Sequence, residues 1–421
     1  MPSKPHQLNT SLLAIIAEGF LSRLSFGLIT FALPLYAHHL GLSMAEIGFL
    51  ISLNVMVALA LKPAMGWMAD HFGLKRSLAA GISLRSLIAL LLAFAGSPWQ
   101  LYAIRTAHGM SQSLRDPPVN ALLAEHGGKK SIASAFAWYQ TAKSVAGSLG
   151  KVVAGVLLTL TASNFSLVFL VASFLSALPV FLIARYVREH REVKEEETAS
   201  EAPDNEDIQA SNGAMAARPA ILSFMGLGFL ITGTAQMLHG LFPILATKYI
   251  GLSEAETGAI YLISTLMVLF AGPFFGWLSD NVSRKLVLMV RGSANIFSSI
   301  IYIAVPNFLG VAVGRVTDDV GKAAFRPAWG ALMAHVSSFD KRRRARTMSY
   351  MSMGEDAGDI AGPILAGFLW STWGLTITLG ARVVLAIVTE IYAMVVTRSM
   401  RKREASSYTR QEPAAMMVLE K

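Results

Sequence analysis

The sequence contains no cysteine, which excludes disulfides, thiolate metal sites and cysteine nucleophiles. Charge is scarce as well: 15% of the 421 residues are charged, against 53% that are apolar. Enzymatic motifs are missing too. There is no H-E-x-x-H, no G-x-S-x-G, no phosphate loop and no tight group of histidine and acid, so a membrane-embedded enzyme would lack its nucleophile, base or metal cluster. No cofactor and no metal are expected.

Long apolar runs fill the space left by charge. About a dozen lie near residues 10–36, 46–68, 77–96, 98–118, 132–160 and 164–187, then 219–247, 257–278, 286–305, 307–334, 346–371 and 374–397. Each is close to the roughly 20 residues that a helix needs to cross a bilayer. Barrel strands would instead alternate in polarity over about 10 residues. The expected fold is therefore an all-α membrane protein of twelve spans embedded in a lipid bilayer. The first run is too long for a signal peptide and no small-residue cleavage site closes it, so it is expected to remain as the first span.

The net charge of +9 invites a nucleic-acid reading, but its placement argues otherwise. Even-numbered connections hold Lys75 and Arg76, Lys129 and Lys130, Arg188 to Lys194, Arg284 and Lys285, and the run from Lys341 to Arg346; the odd-numbered ones hold little besides Lys248. This is the positive-inside asymmetry. It predicts both termini in the cytoplasm, and no nucleic-acid partner.

The stretch from Glu189 to Arg218 is acidic and rich in small residues, which reads as a cytoplasmic linker. It predicts bundles over residues 1–188 and 219–398, a linker over 189–218 and a cytoplasmic tail over 399–421. The halves resemble each other. A shift of 210 residues lays "GLSMAEIGF" at Gly41 on "GLSEAETGA" at Gly251, and Pro63, Gly66, Trp67, Asp70 and Lys75 on Pro273, Gly276, Trp277, Asp280 and Lys285. The same shift carries Arg105 onto Arg315 and Pro117 onto Pro327. Parallel repeats of six helices suit an alternating-access carrier, with its site near mid-membrane between the halves.

With six plus six helices and the basic loop that follows Gly66 and Asp70, the chain resembles the major facilitator superfamily over nearly its whole length. The family's loop pattern, G-x-x-x-D-R-x-G-R-K, finds Gly66, Asp70, Gly73 and Lys75 here, with His71 and Leu74 where bases are usual, and Gly276, Asp280 and Lys285 in the second copy. Gly66 and Gly276 are expected to seat their helices against a neighbour from the other half, with Asp70 near a base as a latch on the cytoplasmic side. "R-x-x-x-G" at Arg105 and Gly109 resembles the family's fourth-helix motif, which implies a link to proton coupling. In antiporters of the family the fifth helix commonly carries Gly-Pro; here Lys151 takes the proline's place, while "GPILAG" at Gly362 keeps the pattern in the other half.

Ionisable residues inside a span are candidates for function. Arg105, His108, Gln112 and Arg115 fall on one stripe of the fourth span; Arg115, near its end, can also snorkel. The tenth span carries Arg315, Asp318, Asp319, Lys322 and Arg326, where Arg315 to Asp319 and Asp318 to Lys322 are spaced for pairing along one face. Lys143 and Lys151 sit in the fifth span, Glu355, Asp356 and Asp359 in the eleventh, Glu18 and Arg23 in the first, and His239 in the seventh. Glu18 and Arg23, five residues apart, point in different directions. Arg85, in the third span, reads as a peripheral packing residue. A histidine on a cationic stripe, or a carboxyl such as Glu18, Glu355 or Asp359, can carry a proton.

Bases collect in the N-terminal half and acids in the C-terminal half, which suits an anionic or zwitterionic solute. The expected function is that of a secondary transporter for a small organic solute, working by alternating access with proton coupling, monomeric, in a bacterial inner membrane, and with efflux favoured over uptake. An organic-anion uptake or exchange carrier without proton coupling is the alternative. A transporter-like receptor and an embedded enzyme are lesser ones.

Overall fold

A computed structural model describes residues 10–126, 132–187, 207–282, 284–337 and 344–419. All the regular structure among them is helical. Helices α1 (Thr10–His39), α2 (Met44–Phe72), α3 (Leu74–Ala93), α4 (Pro98–His126), α5 (Ile132–Leu160) and α6 (Phe165–Tyr186) form the N-terminal half. The C-terminal half holds α7 (Asp207–His239), α8 (Glu254–Asn281), α9 (Arg284–Ala304) and α10 (Phe308–Ser337). A 76-residue helical stretch, Arg344–Leu419, follows and breaks at Gly374, where φ 83° and ψ 175° are not helical. Its arms are α11 (residues 344–373) and α12 (residues 375–419). Helix α7 starts at Asp207, inside the stretch read as a linker, and is extended by a short helix, Phe242–Ile244, and a π-helical turn, Leu245–Tyr249.

Eight described stretches are long and apolar enough to cross a membrane by length and composition, one of them, Met351–Val396, covering 46 residues and hence two arms. Helix α9 is not among them, and neither are the two polar helices α4 and α10. They carry Arg105, His108, Arg115 and Asp116, and Arg315, Asp318, Asp319 and Lys322. Polar side chains that face protein rather than lipid are tolerated at this depth.

The repeated "GLS-x-A-E" motif is a chain-reversal device used twice. Gly41 and Gly251 adopt φ 86° and 84°, a left-handed conformation that a Cβ disfavours. Ser43 and Ser253 then cap the next helix in full capping boxes with Glu46 and Glu256. The two orphan amides at each helix start are thereby satisfied.

The core reveals how the halves meet. At the end where α1 finishes and α2 begins, called here the far end, one apolar cluster runs through both halves, from Leu28, Phe31 and Leu50 to Met237, Leu241, Tyr261 and Ala366. Toward the end that carries the termini the core divides. Ala14, Ile15, Leu78, Leu122 and Ile183 pack in the N-terminal half, and Phe224, Phe325, Trp329, Met351 and Val396 in the C-terminal half.

Two helix pairs make the far-end seam. Gly48 of α2 lies so close to α11 that a Cβ would strike the Pro363 carbonyl and come within 3.2 Å of the Gly367 Cα. Gly155 of α5 stands likewise against the Glu254 carbonyl and the Gly258 Cα of α8. Hydrogen bonds from Ser52 Oγ to the Ile360 carbonyl (2.7 Å) and from Ser163 Oγ to Glu254 (3.2 Å) cross the same seam. Gly66 and Gly276, nearer the other end, face open space, with nothing within 4 Å of a Cβ at either. The expected seating of these two glycines against the opposite half is therefore absent from this conformation, in which the halves diverge toward that end.

Candidate functional site

Between the halves lies a cavity of about 680 Å³. Its walls differ in charge. From the N-terminal half come seven bases, Arg23, Lys62, Arg85, Arg105, Arg115, Lys143 and Lys151, and a single acid, Asp116; from the C-terminal half come Arg291 and Lys322 against Glu355, Asp356 and Asp359.

Each buried charge then depends on its partners, because a charge removed from water without one is costly. Glu18, fully buried on α1, is clasped by Arg115 of α4 through two bonds, Nε to Oε1 at 2.8 Å and Nη2 to Oε2 at 2.9 Å. Ser22 donates to the same carboxylate and Arg115 also donates to the Tyr139 hydroxyl of α5. Arg115 therefore does not snorkel; it is 3% exposed and joins α1, α4 and α5. The guanidinium of Arg23, five residues on, lies over the Phe26 ring at 5.0 Å.

In the second half Asp318 and Asp319 turn apart. Asp319 accepts from Arg315 Nε (2.8 Å) and Ser264 Oγ (2.6 Å). Asp318 is held instead by Arg382 Nη2 (2.7 Å), with Arg291 at 3.7 Å. Its neutralising partners thus come from α12 and α9, which corrects the expectation that α10 balances its own charge along one face. Arg382, wholly buried, also donates to the Thr234 carbonyl, Asn295, Ser298 and Ser299. Arg315 packs over Phe242 and Tyr261, each 4.8 Å away, and donates to His239 Nδ1 at 3.3 Å.

Among the described residues Arg105 has no acid partner. It donates to the Leu50 and Ile51 carbonyls and to Asn54 Oδ1 (2.6 Å), leaving Nη1 without a partner. Arg85 is 5% exposed and lines the cavity beside Phe26, which corrects its peripheral reading. His108 is fully buried edge-on to Phe26 and does not line this cavity. Lys143 lies over the Tyr139 ring (4.9 Å), and Lys151 over the Tyr261 ring (4.1 Å) across the boundary between the halves. On α11, Glu355 accepts from Trp329 Nε1 (2.6 Å) and Asp359 from Gln236 Nε2 (2.5 Å).

The loop motif is only partly in view. Gly73 separates α2 from α3 at φ 94°. Lys75 donates to the Ala184 carbonyl at the end of α6 (2.9 Å), a tie inside its own half. The side chains of Asp70, Asp280 and Lys285 lie outside the described residues.

Arg291, Arg382 and Asn54 escaped the reading of the sequence. The rule for charges inside a span reaches both arginines. Asn54 was findable through the repeat: it maps onto Ser264, and the two bind Arg105 and Asp319, each reaching the motif helix of its half.

The fold has known counterparts. The model for the Major Facilitator Superfamily matches residues 19–239 and 224–418. Multidrug resistance protein MdtG of Proteus mirabilis (strain HI4320) is 24% identical over 367 residues, covering 84% of this chain and 88% of that protein. The Multi-drug resistance efflux pump PmrA homolog of Lactococcus lactis subsp. lactis (strain IL1403) is 26% identical over 368 residues, 82% of this chain and 85% of that one. Among solved structures, a bacterial homolog of the human lysosomal transporter Spinster, inward-facing and unoccupied, matches with a TM-score of 0.76 at 16% identity over 95% of this chain and 99% of its own. Nucleoside transporter NupG gives 0.71 at 14% identity, over 92% and 98%. At such identities the structural likeness speaks for the fold alone. By its matched family model, its helices and its repeated halves, the chain belongs to the Major Facilitator Superfamily, a multi-pass membrane transporter of small solutes.

Proposed function

We propose that the protein is a secondary active transporter that moves a small anionic or zwitterionic organic solute by alternating access, coupled to protons and directed outward. The observation that carries the solute class is the unequal charge of the two cavity walls, seven bases with one acid on one and three carboxylates with two bases on the other. A solute with a negative group and a cationic or neutral remainder satisfies both walls. Outward direction is supported by relatives named for multidrug resistance and efflux. The basic connections at the terminal end favour the cytoplasm on that side, so the cavity would open inward here.

Proton coupling draws support from the Glu18–Arg115 pair. A proton can replace arginine as the carboxylate's partner when α1 and α4 move apart. Reconstituted proteoliposomes with an imposed pH gradient test this: solute flux should follow the gradient in the wild type and lose that dependence in Glu18→Gln. Exchange without proton coupling has its own support, since each deep carboxylate from Glu18 to Asp319 already has a partner in the described residues. Flux that ignores the gradient but requires solute on both sides selects that reading.

A further inference from the structure

Beside the main cavity a smaller pocket of about 310 Å³ lies between α1, α5, α7, α8 and α10, and His239, the last residue of α7, lines both. It ends a chain of three hydrogen bonds that starts on α8. Ser264 Oγ donates to Asp319 Oδ2 (2.6 Å), Arg315 Nε donates to the same oxygen (2.8 Å), and Arg315 Nη2 donates to His239 Nδ1 (3.3 Å). Packing fixes the middle of the chain: Arg315 is 2% exposed and its guanidinium lies over the Phe242 and Tyr261 rings. Its planar fork has one arm on a carboxylate and the other on an imidazole. The device belongs to the second half alone, since the repeat puts Ile29 and Gly109 where His239 and Asp319 stand.

The direction of these bonds decides the state of the ring. Arginine offers donors and no acceptor, so His239 Nδ1 can only accept from it. A neutral ring then carries its hydrogen on Nε2. A second proton would have to enter on Nδ1, the position that Arg315 occupies. The charged groups that act on the ring are Arg315 and Lys322 of α10, Lys151 of α5 and Arg23 of α1. Asp319 is turned to Arg315 and Ser264, and Asp359 of α11 accepts from Gln236, one turn before His239. Among the described residues the bond from Arg315 is the ring's one hydrogen bond, so the Nε2 hydrogen is left to serve the cavity.

We propose that His239 is a specificity-determining contact for the transported solute, a neutral imidazole held as an Nε2–H donor, with Arg315 as the residue that positions it. An anionic or carbonyl oxygen suits that donor; an ammonium finds no acceptor there. The solute side of this inference rests on the anionic reading above and adds a named contact to it. NMR of the full chain in detergent, labelled with nitrogen-15 at histidine, tests the tautomer, the His239 signals being those lost in His239→Gln. In the wild type they should show a bare Nδ1 and a protonated Nε2, and should hold still across the range of about pH 8 to 5 in which a free histidine titrates. Arg315→Lys keeps a charge beside Asp319 but removes the fork, so there the signals should move with pH. A proton on Nδ1, or equal titration in the wild type and Arg315→Lys, overturns the assignment; the wild-type spectrum alone decides it if the variant fails to fold. For the contact, benzoate and tetramethylammonium serve as probes at matched ionic strength, with thermal unfolding read alongside. Benzoate should shift the His239 Nε2–H signal and tetramethylammonium should not. His239→Asn, whose amide falls short of the Nε2 position, should weaken benzoate roughly tenfold to a hundredfold, and His239→Gln, whose amide reaches it, should recover most of that loss. Stabilisation by benzoate with an unmoved His239 signal overturns the contact and leaves the anionic reading standing. Stabilisation by tetramethylammonium and not by benzoate overturns the anionic reading, whatever the tautomer.

Discussion

At the scale of single residues, the partner rather than the depth of a charge decides what it does. Glu18→Gln would leave Arg115 buried at 3% exposure without its counter-charge, which should cost about 3 to 5 kcal/mol of stability. Chemical unfolding of the purified protein, or its expression level in the membrane, measures this. Arg382→Met should be destabilising in the same sense, because Asp318 and the Asn295, Ser298 and Ser299 side chains all lose their donor. The sequence marked Glu18 and Asp318 as deep charges, yet it could not name Arg115 or Arg382 as their partners. Those lie 97 and 64 residues away, and pairing at such separation is set by helix packing, not by local spacing. Where spacing is local, as in Arg315 and Asp319, the pair was legible.

At the scale of elements, the duplicated connection and the glycine seams carry the argument. Ser43→Ala removes the cap of α2 and should cost about 1 kcal/mol, as should Ser253→Ala for α8; additive melting shifts in the double mutant would reflect two independent devices. The repeat was plain in "GLSMAE" and "GLSEAE", but its meaning as a positive-φ turn followed by a capping box needed the backbone. The twelve helices were legible because bilayer thickness imposes their length. The far-end seam was not: Gly48 and Gly155 look like any small residue in a run of apolar ones, and only packing reveals that a backbone lies where their side chains would be. Gly48→Trp should therefore wedge α2 from α11 at the far end. Gly66→Trp meets no atom in this conformation and should interfere only with the opposite one, in which that end closes.

At the scale of the whole molecule, two halves joined at one end predict that opening the far end narrows the other. The cysteine-free chain accepts a spin-label pair at Trp67→Cys and Trp277→Cys, repeat-related and both exposed, without background sites. Adding Gly48→Trp should shift that pair to shorter distances. The family membership, the two-bundle design and the polarity of the cavity could all be foreseen from repeats and charge placement. Which acid each base meets could not, since pairing is a property of the assembled bundle. The central claim is that this charge surplus selects a negatively charged group, and flux tests it most directly. Proteoliposomes containing the full chain, offered matched radiolabelled monocations, zwitterions and organic anions, should move anions or zwitterions and exclude monocations. Transport of monocations alone would contradict the account.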